Sequence, residues 1–93
     1  MSTEISDNAG EGRYEIRVDG GLAGFAEYER RGGAVVFTHT EVDPAFEGKG
    51  IGSALARGAL DDVRAKGDPV VPLCPFIKKW IEKHPDYQDL VKG

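Results

Sequence analysis

The sequence predicts one α+β domain of order βββ-α-β-α, with an α/β-like crossover and a mixed sheet. Three observations predict it. Residues 13–42 carry alternating apolar and polar runs separated by turn signals. The apolar period then changes to that of a helix over 51–66. A short apolar run at 69–74 separates this helix from a second one. The third strand, the long helix and that run form a crossover, expected to be right-handed between parallel strands.

Residues 1–12 are polar, contain Gly10 and Gly12, and read as a flexible leader ahead of a domain spanning 13–93. Arg13–Val18 places Tyr14, Ile16 and Val18 on one face of a strand. Asp19-Gly20 favours a tight hairpin, and a second strand follows over about 22–30. Arg31-Gly32-Gly33 turns the chain into a third strand, Ala34–Val42. Strict alternation there puts Val36, Thr38, Thr40 and Val42 on one face, with Val35, Phe37, His39 and Glu41 on the other. Pro44 ends the strand, and Ala45–Gly50 is a loop. The helix that follows uses Ile51, Ala54, Leu55, Ala59, Leu60 and Val63 as its apolar face, and Gly58 allows a close approach to the sheet. Gly67 closes it. Two prolines in strand 69–74 argue for limited pairing or an edge position. Pro75 opens the last helix, where Phe76, Ile77, Trp80, Ile81 and His84 share a face. Tyr87, Leu90 and Val91 in the tail 86–93 are expected to dock on the core.

The chain has 93 residues, 40% of them hydrophobic and 30% charged, a composition for one globular core. A net charge of -4 disfavours a general nucleic-acid binder, which carries a broad basic surface. One cysteine, Cys74, excludes an intrachain disulfide and a multi-cysteine zinc site. His39, Cys74 and His84 lack metal-ligand spacing, so no metal is expected. The N-terminal residues show neither the basic nor the apolar segment of a signal peptide, and no apolar run is long enough to span a bilayer. The expectation is a cytoplasmic protein, away from membranes, as a monomer or weak dimer.

The chemistry concentrates in Glu47-Gly48-Lys49-Gly50-Ile51-Gly52, between a strand and a helix. Alternating glycines leave backbone N–H groups open, and the first N–H groups of a helix have no intrahelical acceptor. With the positive end of the helix they form a cradle for an anion, most naturally a diphosphate. Ser53 adds a hydroxyl and Lys49 a charge. The spacing matches neither the P-loop nor the dinucleotide fingerprint. A turn serving only chain reversal is the competing reading.

The stretch Val42–Leu55 resembles the acetyl-coenzyme A-binding motif of GNAT-type N-acetyltransferases, Gln/Arg-x-x-Gly-x-Gly/Ala, aligned on Glu47, Gly50 and Gly52. Glu47 departs from the usual Gln or Arg, so its side chain is not counted as a phosphate ligand. The chain is closer still to a minimal single-domain branch of that superfamily. The shared pieces are His39-Thr40, Val42, Pro44, Glu47–Gly52, Cys74-Pro75-Phe76 and His84-Pro85-Asp86-Tyr87, covering about residues 14–91. The resemblance implies a compact GNAT-like fold, coenzyme A or acetyl-coenzyme A as cofactor, and acetyl transfer to an unidentified primary amine, on a small molecule or a protein. It implies pantetheine beside Val42 and diphosphate on the amides of Gly48, Lys49, Gly50, Ile51, Gly52 and Ser53. It places Cys74 near the thioester with His39 approaching as base, and the adenosine phosphate near Lys78 and Lys79.

Cys74 also has a plain reading as a small buried apolar residue, and His39 as a core histidine. His84 reads as a helix-closing residue. Two further functions share these features: a non-catalytic coenzyme A-binding module, and a small protein-interaction domain.

Overall fold

In the computed structural model, which describes residues 2–91, the alternating and helical patterns become a five-stranded sheet with two helices packed on one face. The strands are β1 (Thr3–Asn8), β2 (Arg13–Val18), β3 (Gly21–Arg31), β4 (Ala34–Val42) and β5 (Val70–Pro72), in spatial order β1-β2-β3-β4-β5. The first four are antiparallel neighbours, and β5 runs parallel to β4, so the sheet is mixed. The helices are α1 (Ile51–Ala65) and α2 (Pro75–Lys83). Helix α1 buries Ile51, Leu55, Ala56, Ala59, Leu60 and Val63, and α2 buries Ile77, Trp80 and Ile81. These meet Tyr14, Ile16, Val18, Ala26, Tyr28, Val35 and Phe37 in one core. A 3-10 segment, Pro85–Leu90, adds Tyr87 and Leu90 to it. Val91 bridges Val70, while Lys92 and Gly93 of the expected tail lie outside the described residues.

Two sequence expectations need correction. Residues 1–12 are not a leader: Thr3–Asn8 pairs along the whole of β2, from Thr3 opposite Val18 to Asn8 opposite Arg13. A 3-10 turn at Ala9–Glu11 reverses the chain. The strand escaped detection because Ile5 is its one large apolar side chain, and backbone pairing at a sheet edge requires no apolar alternation. Polar side chains fix it instead. Asp7 accepts from the Tyr28 hydroxyl and from Lys66 Nζ at 3.0 Å, tying β1 to β3 and to the end of α1.

The second correction concerns β4. Glu27 pairs with His39 but Tyr28 pairs with Phe37, so Thr38 is an extra residue, a bulge. The faces exchange there. Val35 and Phe37 are in the core, and beyond the bulge Thr40 and Val42 point to that same side. His39 and Glu41 turn to the opposite face, beside Phe25. A strict two-residue period cannot carry a face assignment across a bulge.

The opposite face also holds Glu15, whose carboxylate is only 5% exposed. It accepts from Arg13 Nε at 2.8 Å, from Asn8 at 3.2 Å and from Arg17 at 3.4 Å. The Arg13 hydrogen bond, aided by Asn8, holds its carboxyl below the usual carboxylate range despite burial. On the helix side, hydrogen bonds from Lys66 and then Tyr14 lower Asp62 likewise. Carboxylates lowered on folding contribute stability that is whole above their unfolded pKa and is lost as pH falls through the folded value. Thermal unfolding should therefore move to lower temperature between about pH 5 and pH 2. Glu15→Gln should cost about 1–3 kcal/mol at neutral pH and flatten that acid slope. Calorimetry across this range reads both, and an unchanged slope in the variant would assign the acid loss elsewhere.

Candidate functional site

The site begins where β5 leaves β4. Their ladder runs only from Val35–Val70 to Phe37–Pro72. There the N–H groups of Leu73 and Cys74 both donate to the Phe37 carbonyl, at 3.0 and 2.9 Å, and the chain turns into α2. Beyond Phe37, β4 continues through Val42 with no strand on that side among the described residues, leaving an open backbone edge.

Cys74 stands at the closed end of this opening. It is 3% exposed and is the N-cap residue of α2, ahead of Pro75 in the first turn. Its Sγ lies 3.3 Å from Thr40 Oγ1. The Thr40 partner was not singled out from sequence, because the bulge at Thr38 decides that Thr40 faces this way. The same bulge removes His39. Its side chain is 54% exposed, with Nε2 3.5 Å from a Glu41 carboxylate oxygen on the far face. The structure therefore does not bring His39 to Cys74, and the expected pairing of the two is withdrawn.

At the other end of the open edge lies the glycine loop. Asp43 accepts from Ala45 N–H at 2.9 Å and starts a 3-10 turn, Pro44–Phe46. Gly48 and Gly50 then take left-handed φ values of +80° and +73°. Only glycine adopts these readily. Gly50 is the N-cap of α1, with no side-chain cap, and the first helical bond runs from Ala54 N–H to the Gly50 carbonyl. The N–H groups of Ile51, Gly52 and Ser53 precede that bond and have no acceptor within the helix. A Cβ at Gly48 or Gly50 would meet nothing within 4 Å, so the cradle opens to space. Its donors suit an anion, and the diphosphate of coenzyme A fits this chemistry. Lys49 stays near the mouth, its Nζ 5.9 Å from the Phe46 ring centroid.

Gly52 serves another purpose. A Cβ there would lie 3.0 Å from Phe76 Cζ and 3.6 Å from a Val42 methyl. Ser53 Oγ accepts from Trp80 Nε1 at 2.9 Å, which clamps the start of α1 to α2 and leaves the hydroxyl hydrogen of Ser53 free to donate. Trp80 is stacked on His84 at 3.8 Å, and His84 Nδ1 meets the Trp80 carbonyl at 2.6 Å, so His84 closes α2. Tyr87 locks the same corner: its hydroxyl donates to Asp61 at 2.6 Å and accepts from Arg57 at 3.2 Å. The Asp61 bond, with burial, raises the Tyr87 hydroxyl above its ordinary value.

The two lysines singled out in the last helix share one hollow and differ in another. Lys79 borders a hollow with Phe76, Trp80 and Lys83, on the side of the glycine loop. Lys78 borders Pro72, Ile81, Glu82, Gln88 and Val91 in a second hollow, and both lysines border a third with Leu73, Pro75 and Glu82. Phe76 departs from the expected buried stripe and is 40% exposed. Among the described residues there is no cluster of three or more His, Cys, Asp or Glu fit to hold a metal ion. No described helix is long and apolar enough to cross a membrane.

Comparison with known proteins agrees with this geometry. The chain is 37% identical over 59 residues to Protein NATD1 of human, mouse and chicken, a match covering 62% of this chain. It covers 52% of the human protein and 54% of the other two, so the chain spans about half the length of these relatives. A GCN5-like putative N-acetyltransferase from Staphylococcus aureus superposes with TM-score 0.72 at 24% identity, over 97% of this chain and 88% of that one. A ribosomal-protein-alanine N-acetyltransferase from Brucella melitensis superposes with TM-score 0.59 at 23% identity, over 87% of this chain and 61% of that one. At these identities the likeness is one of fold. The family model described as GCN5-related N-acetyl-transferase matches residues 13–90, and the chain belongs to that family.

Proposed function

We propose that this chain binds acetyl-coenzyme A along the open edge of β4 and transfers the acetyl group to a primary amine. One observation carries the reading: β5 leaves β4 after Phe37, and the uncovered edge runs from Cys74 and Thr40 to an anion cradle at Gly48–Ser53. Bound there, acetyl-coenzyme A supplies an activated acetyl thioester. The amides of Gly48–Ser53 hold the diphosphate, Lys49 adds charge at the mouth, and Val42 lines the path between the two ends. The amine must be neutral to attack, and its proton leaves to water at the exposed edge. The acceptor is a small-molecule or protein amine, and the chain works as a monomer or weak dimer in the cytoplasm.

Within this reading Cys74 takes the acyl carbon onto Sγ as the bond to the coenzyme A sulfur breaks, and the thiol proton passes to that leaving sulfur. The amine then takes the acetyl group and Cys74 regains its proton, with the Thr40 hydroxyl as hydrogen-bond partner. Cys74→Ala should keep cofactor binding and lose about a hundredfold in turnover, because the nucleophile is gone. Without an amine, the wild-type protein should show acetylation confined to Cys74 by peptide mass spectrometry, removed when an amine is added. Full turnover by Cys74→Ala would leave amine acetylation standing and end the carrier role. Binding without acetylated product across a broad amine panel would favour the non-catalytic coenzyme A module.

A further inference from the structure

Two large apolar side chains are left in solvent on one side of α2: Leu73, 61% exposed, and Val91, 37% exposed. Leu73 follows β5, and its N–H donates to the Phe37 and Val71 carbonyls at 3.0 and 3.2 Å, so the backbone holds this side chain out in a fixed place. Beside it, at the first turns of α2, a hollow of about 360 Å³ is bordered by Leu73, Pro75, Lys78, Lys79 and Glu82. A second hollow, of about 380 Å³, reaches toward the other end of the helix. Pro72, Ile81, Gln88 and Val91 border it, together with the same Lys78 and Glu82. One face of the molecule therefore carries both a projecting leucine and an apolar recess with room for such a side chain.

The charges between the two hollows are left over in the same way. Lys78 and Glu82 are one helical turn apart, yet neither forms an ion pair among the described residues. Lysine ahead of glutamate is the weaker order for pairing within a helix. A second α2 crossing antiparallel, with a two-fold axis midway between the two residues, sets Lys78 against Glu82 of the other copy, twice by symmetry. The same operation lays the Leu73 end of each copy over the Ile81 and Val91 end of the other. A partner carrying one sign of charge would satisfy only one of the two groups. Sheet extension is disfavoured, because Pro72 has no N–H to donate and Val91 already bridges Val70 on β5.

We propose that this face binds a second copy of the chain as a symmetric dimer. Leu73 of each copy enters the other's recess between Pro72, Ile81 and Val91, and Lys78 pairs with Glu82 across the axis. One apolar anchor and one exposed ion pair per copy make a weak, reversible dimer, not an obligate one. Leu73 and Pro75 flank Cys74, so the second copy would also border the closed end of the β4 opening. The inference stands apart from the coenzyme A reading, and either can fail alone.

The test is sedimentation equilibrium of the reduced, ligand-free protein from about 10 µM to about 1 mM. The wild type should pass from monomer to dimer within this range. Leu73→Glu should weaken association at least about tenfold. Lys78→Glu and Glu82→Lys each set like charges across the axis, so each alone should associate about tenfold more weakly than the wild type. Mixed together, the two variants should recover association as a heterodimer, because each then meets opposite charges. All three positions are exposed, and circular dichroism with thermal unfolding checks that the variants fold. A wild type that stays monomeric throughout would overturn the proposal and leave the face to a different partner. So would a dimer indifferent to Leu73→Glu, or charge variants that associate no better mixed than alone.

Discussion

Gly50→Val loses about a hundredfold in acetyl-coenzyme A affinity while costing the fold only about 1–2 kcal/mol. The two effects separate because of where the residue sits. Its φ of +73° is unfavourable for any residue with a Cβ, and a β-branched side chain is the worst case. Yet a Cβ there would touch nothing within 4 Å, so the folded protein has room for it. The room is the cradle itself. A valine side chain would stand where the anion meets the N–H groups at the start of α1, and each charge-assisted hydrogen bond lost is worth about 1.5–3 kcal/mol. Titration and chemical unfolding on the same variant read the two quantities. A variant that binds normally would place the diphosphate elsewhere, and one that fails to fold would make the glycine a purely structural turn residue.

Gly58→Ala lowers stability by about 1–2 kcal/mol, against the gain of about 1 kcal/mol that alanine brings to an ordinary helix interior. A Cβ at this position would stand 3.0 Å from Ile5 Cγ1 and 3.1 Å from Ile5 Cβ, and nearer still to its terminal methyl. Helix α1 therefore lies directly on β1 at this point, and the glycine is what permits it. Ile5→Ala vacates most of the contested space. In the double variant the alanine at position 58 should be neutral or stabilising, a favourable coupling of at least about 1 kcal/mol. Urea unfolding followed by the single tryptophan, Trp80, measures all four proteins. Stabilisation by Gly58→Ala alone would detach β1 from the helix and restore the leader expected from composition.

These two glycines also show how far the sequence could be read. Gly58 was legible as a close approach to the sheet, because a helix-weakening residue in an apolar stripe needs a packing reason. Its partner was not legible, since β1 offers Ile5 alone as a large apolar residue and is held by Asp7, Tyr28 and Lys66. Gly48 and Gly50 were legible as a loop with open backbone N–H groups ahead of a helix, and they take left-handed φ values at the start of α1. Strands β2 and β4, helix α1 and the edge position of β5 followed from period, turn residues and prolines. The failure at His39 has one cause, the extra residue Thr38, which adds no local signal to a run of β-branched and aromatic residues. It moved His39 away from Cys74 and put Thr40 in its place. Phe76 was misplaced on the buried face for a related reason: the helical stripe is broad, and only packing decides which margin is buried.

The most direct test is calorimetric titration of the reduced wild-type protein with acetyl-coenzyme A. The account predicts saturable binding of one cofactor per chain, abolished or strongly weakened by Gly50→Val and retained by Cys74→Ala. No binding by folded wild-type protein, with the cofactor raised into the millimolar range, would contradict it and leave the glycine loop as a turn in a small interaction domain.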